Sequence, residues 1–407
     1  MRVLKWVFIS LGSLVALVFI GVLVVVLLVD PNRFKPRIER AVREATGREF
    51  ALVGDIELGF FPWLSLRTGA GRFGNAPGFG NDPMVSWRGA QLGAKLFPLL
   101  RGQLVADRVH FTGVDLRLVR HADGRANWEG IGSTASDAGN PQPESSGDAR
   151  FSIDGVEIDD SRISFIDESV PRRVEVTGFH LETDEISLGT PFTDTEIAGS
   201  LHLDGFAPAG VTFRLTVPRV ELPKDLSRVA VKDFALSFGA LELEGGVQGT
   251  LGAAPQLTGR IESNEFDPRA LLTAVGVEAP KTTDPKALGV VAFKGDWNFD
   301  ANGTAFEPFT LRLDDTRFTG KFRRAAGDDP VASLDLTGDV LDIARYLPPP
   351  DPHSEPFTLP TAMLKALKFR GTIELGEAKY EDTLLKGATL RLLLDDQGLH
   401  QPPEAGK

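Results

Sequence analysis

The chain has 407 residues, 42% hydrophobic and 25% charged, with 43 glycines and 27 prolines; these are globular proportions, punctuated too often for long helices. A formal net charge of -12, with no basic stripe interleaved with aromatics beyond the membrane-proximal segment, excludes a general nucleic-acid binder. The absence of cysteine excludes disulfides, thiolate metal sites and thiol nucleophiles.

Residues 6–29 are 24 positions without a charge. At ~1.5 Å per residue they make roughly 36 Å of helix, enough to cross a hydrocarbon core of ~30 Å. A cleaved signal peptide has an apolar run of about 7 to 15 residues ending at small side chains. Here Val24 to Val29 runs straight into Asp30-Pro31, so an uncleaved anchor is expected. Arg2 and Lys5 precede the span while Arg33, Lys35, Arg37, Arg40, Arg43 and Arg48 follow it, so flanking charge alone does not fix orientation for a body of this size.

Residues 32–46 read as a short amphipathic helix, with Phe34, Ile38 and Val42 at four-residue spacing, Pro36 near its start and Gly47 as its stop. Arg37 and Arg40 belong to its basic face. Two readings fit: a helix on lipid headgroups, or a helix packed on the following domain.

From residue 50 onward the apolar period is mostly two, as in Val109 and Phe111, Leu116 and Leu118, Ile163 and Phe165, and Val211 to Val217. Each set predicts a strand with one apolar face, and the short Gly, Asp and Pro interludes predict antiparallel neighbours joined by tight turns. Two internal repeats support a repetitive body. At an offset of 47, Val109, Phe111, Leu116 and Leu118 match Val156, Ile158, Ile163 and Phe165 as two strand-turn-strand copies. At an offset of 75, residues 234–272 match 309–347, keeping Gly245/Gly320, Pro255/Pro330 and Asp267/Asp342, and each copy ends in a short helical turn. Residues 132–148 form a polar linker and 348–356 a proline-rich bend. A short helix is expected over 361–369, then strands over 372–375 and 388–394.

The search for chemistry yields no active site. Gly69-Ala70-Gly71-Arg72-Phe73-Gly74 spells a dinucleotide fingerprint, but Asn75-Ala76-Pro77-Gly78 follows where a helix is required. Asn298, Asp300, Asn302 and Gly303 match the start of a calcium loop, yet position twelve is Phe309 rather than a bidentate Glu, so a hairpin turn is expected. The six histidines form no H-x-x-x-H pair, and the acidic doublets sit beside turns. No catalytic, cofactor-binding or metal-ligating residue is expected.

A longer motif string runs through the first third of the chain. After the span come Asp30-Pro31-Asn32-Arg33-Phe34-Lys35, Thr46-Gly47-Arg48, Gly54-Asp55-Ile56-Glu57-Leu58 and Phe61-Pro62-Trp63-Leu64, then Leu96-Phe97-Pro98-Leu99-Leu100, Asp123-Gly124 and Asn127-Trp128. Together these resemble the AsmA family of bacterial inner-membrane-anchored envelope proteins. The likeness is close over about residues 1–130 and continues to about 390 in repeat style.

The resemblance implies an N-terminus in the cytoplasm, a body in the periplasm of a Gram-negative bacterium, and an elongated β-groove of the bridge-like lipid-transfer type. Its roles would be in phospholipid traffic and outer-membrane assembly. The division expected is a cytoplasmic 1–5, a transmembrane 6–29, a membrane-proximal helix at 30–47, an AsmA-like β region at 48–130 and a flexible linker at 131–150. A repetitive β-groove body at 151–347, a proline-rich linker at 348–360 and an incomplete C-terminal repeat at 361–407 follow. Similar proteins continue beyond this length, so the chain reads as short or C-terminally truncated.

The fold class expected is therefore mainly β, a transmembrane helix followed by an antiparallel groove with few short helices. One-sided strands need an apolar partner, and a sheet curled into a trough can take lipid chains where closed β-sandwiches would oppose a second sheet. The expected lining residues are Phe213, Leu215, Phe238, Leu243, Phe293, Leu313, Phe318 and Phe322. The function read from this is non-enzymatic phospholipid handling, with the inner membrane and other envelope proteins as partners. The alternative is a scaffold or regulator of outer-membrane protein assembly acting through protein partners.

Overall fold

The computed structural model describes residues 30–59, 64–94, 106–130, 153–169, 172–186, 191–204, 207–223, 225, 227–252, 254–327, 331–349, 368–380, 382–395 and 398–400. The chain divides into two compact units, Met1–Arg172 and Arg173–Lys407, each mainly β. The span expected over 6–29 lies outside the described residues, as do the linker at 131–150 and most of 348–360. Among the described residues no helix is long and apolar enough to cross a membrane.

The first unit opens with a 3-10 turn, Pro31–Phe34, and helix α1, Lys35–Thr46. Asp30 caps the turn by accepting the Asn32 N–H at 3.0 Å, and Gly47 ends α1 at φ 68°, a left-handed position that glycine occupies without strain. The strands that follow come as interrupted pairs. These are β1 (Phe50–Leu52) and β2 (Ile56–Gly59), β3 (Leu64–Thr68) and β4 (Gly71–Phe73), β5 (Val85–Trp87) and β6 (Gly89–Ala94), and β7 (Ala106–Thr112) and β8 (Asp115–Arg120). Antiparallel pairing joins β2 to β3, β3 to β6 and β6 to β7 on one side of the interruptions. On the other side it joins β1 to β4, β4 to β5 and β5 to β8. Strand β9 (Ile153–Asp167) then runs parallel to both β7 and β8.

The 47-residue repeat is realised in that last pairing, because Val109, Phe111, Leu116 and Leu118 are the register partners of Val156, Ile158, Ile163 and Phe165. The copies are parallel neighbours, where an antiparallel meander was expected. The second copy is also a single strand, irregular at Asp160 (φ 46°), and not a strand-turn-strand. Ile163 follows Ile158 by five positions, an odd offset that would send them to opposite faces of a regular strand, and the irregularity at Asp160 falls between them. The interruptions fall into line across the sheet. The Gly69 N–H donates to Asp55 O at 3.1 Å, Arg88 N–H to Thr112 O at 3.0 Å and Gly113 N–H to Asp159 O at 2.8 Å. At the same level Gly54 and Gly69 approach so closely that a Cβ on Gly54 would stand 2.4 Å from the Gly69 Cα.

The second unit contains β10 (Arg172–Ile186), β11 (Phe192–Leu203), β12 (Ala207–Glu221), β13 (Arg228–Phe238), β14 (Leu241–Thr250), β15 (Gln256–Ser263), β16 (Val291–Asp300), β17 (Gly303–Leu313), β18 (Thr316–Ala325) and β19 (Val331–Asp342). These pair antiparallel in chain order. Strand β20 (Lys368–Tyr380) joins β19 in parallel, and β21 (Thr383–Asp395) and β22 (Gly398–His400) return to the antiparallel order. The sheet is therefore mixed, though mostly antiparallel. Of the helix expected over 361–369, residues 361–367 lie outside the described residues, and Lys368 and Phe369 already belong to β20.

The 75-residue repeat is reproduced element by element. β13 and β14 shifted by 75 give the bounds of β17 and β18, and β15 shifted likewise falls within β19. The irregularity recurs too: the register slips between Val231 and Phe234 in one copy and between Phe306 and Phe309 in the other. Helix α2 (Pro268–Ala274) follows Asp267, and a 3-10 turn (Ile343–Tyr346) follows Asp342. Asp267 accepts the Arg269 and Ala270 N–H groups at 2.8 and 3.3 Å, the local bond that makes Asp a good helix starter. After α2 the chain is pinned by Asp314, whose carboxylate accepts the N–H groups of Leu288 (2.8 Å), Gly289 (2.8 Å) and Val290 (3.0 Å) and the Tyr346 hydroxyl (2.8 Å).

Candidate functional site

The registers of the second unit place all eight predicted lining residues on one face. Phe213 pairs with Phe238 and Leu215 with Leu236, which pairs in turn with Leu243. Further along, Phe293 pairs with Leu311 and Leu311 with Phe318, while Leu313 follows Leu311 by two residues and Phe322 follows Phe318 by four. Phe318 is buried and the other seven are half-buried. The same face continues through Ile261, Trp297, Phe306, Phe309, Leu336 and Ile373, which share the alternation but were not singled out from sequence. Phe309, Phe318, Leu336 and Leu375 cluster at its best-packed point.

Large side chains on this face stand opposite glycines. Phe213 faces Gly199, Phe234 faces Gly245, Trp297 faces Gly259, Phe309 faces both Gly295 and Gly320, and Phe318 faces Gly338. The rings lie across the space the missing side chains leave: a Cβ on Gly259 would come within 2.7 Å of the Trp297 ring, and one on Gly338 within 2.6 Å of the Phe318 ring. Alternation of large and small side chains makes the face apolar without making it tall. The described strands of the second unit all belong to one open sheet, with α2 touching β12 and the Ile343–Tyr346 turn touching β20.

The opposite face is charged. Arg260 meets Asp296 at 3.1 Å, Lys294 meets Glu262 at 3.9 Å, and Arg323 grips both Glu307 oxygens at 2.8 Å. A cavity of about 1080 Å³ is lined by Lys232, Glu244, Arg260 and Asp296 together with Phe234, Val247 and Trp297.

In the first unit three of the motif residues are structural, while 61–63 and 96–100 lie outside the described residues. Arg48 is 5% exposed, donates to the Glu129 carbonyl at 2.8 Å and lies over the Phe73 ring; its burial lowers its pKa. Asn127 is wholly buried, accepting the Val119 N–H at 3.0 Å and donating to Arg117 O at 2.8 Å and Asn75 Oδ1 at 3.0 Å. Asn32 clamps strand β2 by accepting the Ile56 N–H at 2.9 Å and donating to its carbonyl at 3.3 Å. These bonds give Asn32, Arg48 and Asn127 a folding role within the motif string. The Gly69–Gly74 stretch contains strand β4, where Gly71 makes room for the Trp87 ring, and no helix follows it. Asp300 to Gly303 is the hairpin turn between β16 and β17, with Asp300 accepting the Asn302 N–H at 2.7 Å.

Parallel pairing brings together one cluster that sequence spacing hides. His110 Nε2 lies 3.0 Å from Asp159 Oδ2, with Glu157 beside them. Arg108 stands 3.8 Å from Glu157, so the arrangement reads as an ion-pair row on the polar side of β7 and β9. Of the residues assigned to the membrane-proximal helix, Phe34, Ile38, Arg37 and Arg40 are exposed while Val42 is half-buried on the docked side. Four residues advance a helix by 400°, so Val42 sits about 40° from Ile38 and 80° from Phe34.

The profile of the AsmA family matches residues 1–210, more than half of the chain. The chain belongs to the AsmA family. AsmA-family proteins are cell-envelope proteins implicated in outer-membrane biogenesis, and the family is not one of enzymes. No curated protein and no solved structure matches this AsmA-family chain.

Proposed function

We propose that the chain is a non-enzymatic, single-pass inner-membrane protein, with its N-terminus in the cytoplasm and its bulk in the periplasm. It binds phospholipid on the apolar face of the second unit and helps move it during outer-membrane biogenesis. The observation that carries this reading is the continuity of that face from β11 to β21 in one open sheet among the described residues. An acyl chain laid there gains about 25 cal/mol for each Å² of apolar surface removed from water, headgroups stay wet, and displacement from strand to strand needs no bond chemistry. The uncharged run at 6–29 supplies the anchor.

A photocrosslinking residue at Phe213 or Phe238, compared with the alternate positions Thr212 and Ser237, tests the assignment in living cells. Labelled phospholipid should attach at the first pair and not at the second. A folded, anchored protein that captures no lipid at either pair, and envelope proteins instead, would replace lipid handling by a scaffold for outer-membrane protein assembly.

A further inference from the structure

Helix α1 is bonded to the first unit along one side. The Lys35 ammonium meets Asp55 at 3.2 Å, Glu39 Oε1 accepts the Leu52 N–H at 3.0 Å, and Asn32 just before the helix holds both backbone groups of Ile56. Lys35, Glu39, Val42 and Thr46 make up this docked side. Phe34 and Ile38 flank this side and are 45% and 38% exposed. Arg33, Arg37, Arg40 and Arg43 are exposed as well, against exposed Asp30 and Glu44, and the Arg37 guanidinium lies 6.0 Å from the Phe34 ring centroid. The uncharged run of residues 6–29 ends one residue before the Pro31–Phe34 turn that leads into α1.

We infer that α1 lies on the bilayer that residues 6–29 enter, with Phe34 and Ile38 at the boundary of headgroups and acyl chains and Arg33, Arg37 and Arg40 against anionic phospholipid headgroups. The inference rests on the anchored reading above. It goes further in one respect: the other side of α1 is bonded to β1 and β2, so the contact selects which side of the first unit faces the membrane.

The chain has no cysteine, so single spin labels can be placed in the full-length protein. Ile38→Cys, Arg43→Cys and Leu17→Cys, each labelled and reconstituted in nanodiscs of phosphatidylcholine with and without phosphatidylglycerol, are compared by collision with oxygen and with a water-soluble nickel chelate. With phosphatidylglycerol present, labels at 17 and 38 should be shielded from nickel several-fold relative to 43. Changing Arg33, Arg37 and Arg40 to Gln, or omitting phosphatidylglycerol, should return the label at 38 to water and leave 17 shielded. A label at 38 as accessible as that at 43, with 17 shielded, rejects the surface helix and spares the anchor. Exposure at 17 rejects the anchor and the inference with it. Equal shielding of 38 in both lipids overturns the anionic headgroup assignment.

Discussion

Asp314 closes a long connection with one side chain. It is 7% exposed, holds a left-handed φ of 48° that short polar residues tolerate, and gathers three backbone N–H groups with the Tyr346 hydroxyl. Burial opposes its ionisation, but the Val290 N–H, the Tyr346 hydroxyl and the Leu288 and Gly289 N–H groups together hold the carboxyl below the usual carboxylate range. Burial, reinforced by Asp314, raises Tyr346. Asp314→Asn keeps the shape but turns an amide NH₂ toward donors, so a loss of about 2 kcal/mol is expected in denaturant unfolding. Because the folded pKa is depressed, the carboxylate's contribution is complete above the unfolded value of about 3.9 and fades as pH falls through the folded one. The stability gap between the parent and Asp314→Asn should narrow below about pH 4. Gly259 gives a second residue-scale test. A Cβ there would meet Gly246 O at 2.2 Å and the Trp297 ring at 2.7 Å, so Gly259→Val should cost about 2 to 3 kcal/mol, read as a lower unfolding midpoint.

At the scale of strands and helices, the alternation of side chains was legible and the direction of the chain was not. A period of two says which residues share a face, and it collected Phe213, Phe238, Leu243 and Phe318 correctly onto one. It is silent on whether neighbours run parallel, which is why the 47-residue repeat read as successive hairpins when its copies lie side by side. The 75-residue repeat carried more, since two elements and an irregularity had to agree in spacing. The side on which α1 docks was invisible, because it depends on Asp55, Leu52 and Ile56, partners that helical spacing does not contain. The His110 and Asp159 pair was hidden for the same reason, being 49 residues apart in the chain. A charge on the apolar face tests the proposal at this scale. Phe213→Asp should abolish crosslinking of labelled lipid from Phe238 and weaken the cell envelope, whereas Thr212→Asp, one residue along and on the opposite face, should do neither at matched protein levels.

For the molecule as a whole, the repeat means that the second unit is assembled from interchangeable blocks. Removing residues 234–308 would join Asp233 to Phe309 at equivalent points of β13 and β17, keeping Phe309, Leu311 and Leu313 where Phe234, Leu236 and Phe238 had faced β12. The shortened chain should fold with four fewer strands, retaining a β-type circular dichroism spectrum and a cooperative, though lower, unfolding midpoint, since each strand depends chiefly on its neighbours. The first unit is not divisible in this way. Its strands share aligned interruptions, where a side chain substitutes for the regular ladder: the Val114 N–H donates to the buried Ser161 hydroxyl at 2.9 Å, and that hydroxyl donates to Asp159 O at 2.8 Å. Amide protons along this line are the ones that brief local openings would release first, so deuterium should enter at Gly54, Gly69, Arg88 and Val114 ahead of the strands on either side. The sheet would then register in exchange as two protected territories with a common frontier, a division of labour in stability that its continuous hydrogen-bonded outline conceals.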